Sequence, residues 1–114
     1  MISQALAQEV SQLEADLCFA LADPTRILIL YSLDEQARNV TELTTELGAT
    51  QPTVSRHLKI LRDRGLVQTI RQGTTITYQL ADKRLIQALD LLRSVLRERI
   101  THNANLMEEI EALV

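Results

Sequence analysis

The sequence predicts a mainly α fold with a small β-hairpin, and three observations carry that expectation. Apolar residues make up 46% of the chain but aromatics only 3%, so the core is aliphatic, which favours packed helices. Apolar positions recur at spacings of three and four through most of the chain, the period of a half-buried helix. Between residues 66 and 80 the period switches to two around a glycine-containing turn, the mark of a strand pair. Two short helices joined by a tight turn directly precede that hairpin, so the expected architecture is a winged helix-turn-helix. A length of 114 residues predicts one domain over residues 1–114.

The elements follow in order. Leu6, Val10, Leu13, Leu17 and Leu21 predict a first helix over residues 4–21. Asp23-Pro24 starts a second, with Asp23 as cap and Pro24 in the first turn. Its apolar set, Ile27, Leu28, Leu30, Tyr31 and Leu33, covers more than one face, so this helix is expected at the centre of the core. Residues 34–38 read as a polar loop. Asn39 with Glu42 forms a capping-box pattern opening the first helix of the turn motif, Val40, Leu43 and Leu47 give its buried stripe, and Gly48 closes it. Thr50 is expected to cap the next helix, with Pro52 in its first turn and Val54, Leu58 and Leu61 facing inward. Leu66–Ile70 and Thr75–Leu80 read as strands around the turn Arg71-Gln72-Gly73-Thr74. Asp82 opens a last long helix whose stripe runs Leu85, Leu89, Leu92, Leu96 and Ile100, then Met107, Ile110 and Val114, across the weaker helix formers of residues 101–105.

Charge points to a partner. The chain has a net charge of −3, yet residues 51–84 hold seven cations against two anions, a net of +5 that leaves −8 elsewhere. A basic segment in an acidic chain is the footprint of a nucleic-acid face. The second motif helix turns Gln51, Thr53, Ser55, Arg56, Lys59 and Arg62 away from its apolar stripe. Short polar groups lead and cations follow, as base-edge and phosphate contacts in a major groove require. With Thr50, and with Arg71 and Thr74 at the hairpin tip, these form the expected site for double-stranded DNA. His57 is either a phosphate contact or a residue packed on the domain surface. One small domain cannot bury the stripes of both terminal helices. The expectation is therefore a homodimer through the first and last helices, with Leu13, Leu17, Leu89, Leu92 and Leu96 at the interface.

Other chemistries find little footing. There is no run of 18 apolar residues for a membrane span and no signal-peptide pattern at the N-terminus, so a cytoplasmic protein is expected. No nucleophile–base set, phosphate loop or paired carboxylates stand at catalytic spacing, so no enzyme activity and no cofactor are expected. Cys18, the single cysteine, rules out an intramolecular disulfide. It is either a small buried hydrophobe or an oxidant-sensing thiol. His102 reads as solvated, and a Cys18–His102 metal site would still need two further ligands.

The strings ALADPTRILIL (20–30), ELGATQPTVSRHLKILRDRGLV (46–67) and RQGTTITYQL (71–80) resemble the ArsR/SmtB family of small winged-helix repressors. The likeness covers about residues 13–80, and the last helix fits by pattern. The resemblance implies a homodimeric repressor with paired recognition helices on a palindromic operator, released by an inducer. It also implies where metal-sensing members hold their ion, and here the sequence departs. Asn39-Val40-Thr41 stands where many members have Cys-Val-Cys. The Asp-x-His pair of the last helix is Asp82-Lys83-Arg84, and residues 93–99 lack histidine. Neither metal site is expected, and no residue pattern specifies an inducer. The expected function is a dimeric sequence-specific transcriptional repressor. The rival is a winged-helix protein-interaction module without an operator of its own.

Overall fold

Ser3 Oγ accepts a hydrogen bond from Leu6 N at 3.1 Å, and the first helix starts there. The computed structural model describes residues 1–113; Val114, the last member of the final stripe, lies outside the described residues. Two compact units divide the chain, one through Lys83 and one from Arg84 onward.

In the first unit, α1 (Gln4–Leu13) runs into a π-helical segment, Glu14–Cys18, and ends in the short α2 (Phe19–Leu21). The predicted helix over residues 4–21 is therefore present, with an irregular middle that apolar spacing does not reveal. Asp23 accepts from Thr25 N at 2.8 Å and Arg26 N at 3.4 Å and caps α3 (Pro24–Glu35). Ile29 and Leu30 on α3 are fully buried, with Leu33 beside them, so this helix is the core element that its sequence predicts. The polar loop expected at 34–38 is a correction. α3 extends through Glu35, and Arg38–Asn39 form a short strand, β1.

Asn39 then caps α4 (Val40–Leu47) in a full capping box: its Oδ1 accepts from Glu42 N at 2.8 Å, and Glu42 Oε1 accepts from Asn39 N at 3.0 Å. Gly48 ends α4 at φ 64°, a left-handed conformation that costs other residues energy. After a two-residue link comes α5 (Gln51–Asp63). Gly65 closes α5 in a Schellman arrangement: Gly65 N donates to Arg62 O at 3.0 Å and Leu66 N to Leu61 O at 2.9 Å. β2 (Val67–Gln72) and β3 (Thr75–Leu80) form the hairpin; β3 has the expected bounds, and β2 runs two residues further toward the tip than expected, through Gln72. The sheet order is β1-β3-β2, all antiparallel, with Gln72 opposite Thr75 at the tip and Asn39 opposite Thr77 on the other edge. The core of this unit is aliphatic: Ile29, Leu30, Leu43, Val54, Leu58, Leu61 and Leu66 are all fully buried.

The second unit is α6 (Arg84–Leu113), 30 residues without a break at 101–105. One long helix is what its stripe predicts.

Candidate nucleic-acid interface

α5 has two faces. Val54, His57, Leu58 and Leu61 are buried. Gln51, Ser55, Arg56, Lys59 and Arg62 are exposed, and Thr53 is half-buried. The outer face is thus the one the sequence marks. Thr50 occupies the cap position, but its side chain makes no capping bond. Instead Thr50 Oγ1 donates to Thr53 Oγ1 at 2.8 Å.

The free cations are fewer than the sequence count of seven. Arg64 turns back to Asp16 at 3.4 Å, and Lys83 reaches Asp34 at 3.7 Å. Lys59 Nζ bonds Asp63 Oδ2 at 2.8 Å, one turn along the helix. That ammonium holds the Asp63 carboxyl below the usual carboxylate value. Arg56 and Arg62 make no ion pair among the described residues, and neither does Arg71. Arg71 sits near the end of β2, not in the turn, and curls over the tip so that its Nε donates to Gly73 O at 3.4 Å. Thr74 is in the turn and exposed. Ridge and wing tip together present three unpaired guanidiniums, with Lys59 held beside them by its own helix.

His57 departs from the outer-face reading. It is 8% exposed, on the buried side of α5. Arginine has no acceptor, so Arg26 Nη1 donates to His57 Nδ1 at 3.2 Å, and Nε2 of the same ring lies 4.0 Å from Asp23 Oδ1. Burial pushes the Asp23 carboxyl up, but N–H bonds from Thr25 and Arg26, with His57 and Arg26 nearby, outweigh it and hold the group below its ordinary value. Arg26 itself is buried and also donates to Ala20 O at 2.7 Å and Phe19 O at 3.2 Å, the last carbonyls of the first helix. Sequence reading missed this role of Arg26. The available signal was a single guanidinium at the start of an otherwise apolar run, Ile27 to Leu30.

Two other sequence expectations change. Cys18 is exposed on the π-helical segment, so the reading as a buried hydrophobe fails. Leu89, named for the dimer, is buried within the single chain at 5% exposure, whereas Leu92 and Leu96 are 63% and 55% exposed. Leu13 is 46% exposed and Leu17 half-buried. At the place of the family's first thiolate, Asn39 commits its side chain to the capping box.

A tight helical pair, a polar and cationic outer face on its second member and a β-hairpin immediately after it define a winged helix-turn-helix protein. The chain belongs to the arsR family of bacterial regulatory proteins, whose family model matches residues 23–69. It is 42% identical over 88 residues to the HTH-type transcriptional regulator NmtR of Mycobacterium tuberculosis, covering 77% of this chain and 69% of that protein. It is 45% identical over 67 residues to the regulator KmtR of the same organism, covering 59% of this chain and 52% of KmtR, so it spans about half the length of that relative. Among solved structures it is similar to the homodimeric winged helix-turn-helix DNA-binding domain of a possible ArsR-family transcriptional regulator from Mycobacterium bovis. That likeness has a TM-score of 0.74 at 31% identity, covering 89% of this chain and 93% of that one.

Proposed function

We propose that this chain is a homodimeric transcriptional repressor that reads duplex DNA in the cytoplasm through α5 and holds the backbone with its wing. The observation that carries this is the outer face of α5. Gln51 and Ser55 stand exposed near its start and Arg56 and Arg62 exposed and unpaired beyond, opposite a fully buried stripe. A helix fits the major groove of B-DNA, where short polar groups reach base edges and guanidiniums reach phosphates or guanine. A protein-docking face would offer large apolar or aromatic anchors. Apart from Pro52, every exposed residue on α5 is polar or charged. Support for the dimer comes from the homodimeric neighbour and from two apolar stripes: Leu6, Val10 and Leu13 on α1, and Leu92, Leu96 and Ile100 on α6, all at least 46% exposed in the single chain. In a dimer the two α5 helices would enter successive major grooves about 34 Å apart.

The test is selection from a random duplex library, followed by affinity measured across a salt series. Wild type should enrich a palindromic sequence. Replacing Arg56 and Arg62 together by alanine should weaken binding and reduce the slope of log affinity against log salt by about 2 per protomer. Asp63→Asn should do the reverse, because Lys59 no longer shares its charge with a carboxylate. No enrichment, or a double variant with wild-type affinity and slope, rejects this face as the DNA contact.

A further inference from the structure

Two arginines that do not belong to the outer face of α5 converge on one stretch of the first helix. Arg26 binds Phe19 O and Ala20 O with two nitrogens and His57 with a third. Arg64, the residue after α5, donates to Ala15 O, lies 3.4 Å from Asp16 Oδ1 and places its guanidinium carbon 4.6 Å from the centre of the Phe19 ring. So α5 is attached to residues 15–20 at two points, His57 through Arg26 and Arg64 directly. These points lie about 10 Å apart along the helix, at 1.5 Å per residue. Two attachments fix the direction of a rod. The burial of Val54, Leu58 and Leu61 selects the inward face of α5, and a directional bond defines the angle about the axis more finely. The bond to His57 supplies that angular constraint, because Arg56 and Ser55 follow His57 rigidly around the turn.

The gripped stretch is also the irregular part of the first helix. Glu14–Cys18 is π-helical, with Phe19 N bonded to Glu14 O. Single π-helical turns inside α-helices are rare, and they are frequent at functional sites.

We propose that residues 15–20 set the pose of α5, with Arg26 and Arg64 as positioning residues for DNA reading that do not touch DNA. This inference rests on the DNA-binding reading above. A shift of register in the first helix would then reach the reading face through two side chains.

The experiment uses the full chain and two probes: the duplex that wild type enriches from a random library, and a scrambled duplex of equal length and composition. His57→Leu keeps the buried volume filled and leaves Arg26 on its carbonyls, but cuts the link to α5. Arg64→Lys keeps the charge and loses the fork and the ring contact. In each, affinity for the selected duplex should fall about tenfold, within the range of coupling carried by side chains remote from a ligand. Affinity for the scrambled duplex, and the salt slope, should stay at wild type. His57→Asn, whose Oδ1 takes the place of Nδ1 and still accepts from Arg26, should recover most of the loss. A merely structural role would lower the urea midpoint and leave the selected-to-scrambled ratio unchanged where the variant is fully folded. An unchanged ratio in folded His57→Leu overturns the proposal. If that variant does not fold, the ratio for Arg64→Lys decides in the same way. Equal binding of both duplexes by wild type would instead bring down the DNA-reading assignment itself.

Discussion

Asp23 shows how much a single position can carry. Its carboxylate caps α3 and faces the ring of His57. The cap was legible in the sequence because an N-cap bonds only two or three residues ahead, so Asp-Pro is enough. The Arg26–His57 bond was not, because 31 residues separate the partners, and the Arg64–Ala15 bond spans 49. Nothing in local spacing pairs residues so distant, which is why His57 was equally readable as a surface group. The lowered Asp23 carboxyl has a pH consequence with a definite sign. A folded-state value below the unfolded one, about 3.9, contributes stability that is fully present above about pH 4. It is lost as pH falls through the folded value. Asp23→Ala should therefore lower the urea midpoint at pH 7, and the gap to wild type should narrow below about pH 4. A gap that stays constant down to pH 2 would show that the carboxylate charge contributes nothing.

Among elements, those with their own local signals were readable and those defined by pairing were not. α4 announces itself through the Asn39–Glu42 box and Gly48, and Asn39→Ala should cost about 1 kcal/mol by chemical denaturation. β1 has two residues and no period of its own; it exists because Arg38 and Asn39 find Tyr78 and Thr77 on β3. Arg38 is further fixed there by Glu35 at 2.9 Å and by the carbonyl of Ser32 at 3.2 Å. The wing was readable as an alternation but not in its length. A two-residue turn at Gly73-Thr74 lets β2 continue through Gln72, which puts Arg71 opposite Ile76. On the proposed DNA-binding reading, Arg71 at the wing is a backbone contact. Arg71→Ala should thus weaken the selected and the scrambled duplex by similar factors, lowering the salt slope by about 1 per protomer. A changed preferred sequence at unchanged overall affinity would mean that the wing reads bases.

At the scale of the molecule the question is what covers the apolar stripes. Spacing alone cannot separate a residue buried within one chain from a residue left for a partner, since both recur at three and four. The structure separates them. Leu89 is buried in the single chain, while Leu92, one turn further along α6, is 63% exposed. The two residues therefore make opposite predictions for the same change. Leu92→Glu places its charge where the single chain already meets solvent, so the helical circular dichroism of the variant should match wild type. In the dimer that carboxylate would be buried without a partner, which is costly. Sedimentation should then give a species near the 12.9 kDa of one chain, and affinity for a palindromic duplex should fall steeply, because each half-site is bound alone. Leu89→Glu should instead damage folding itself, lowering the urea midpoint by several kcal/mol worth of stability, as charges forced into cores do. A Leu92→Glu protein that still sediments as a dimer would place the interface away from this part of α6, and a Leu89→Glu protein as stable as wild type would show that Leu89 is not the core residue its burial makes it.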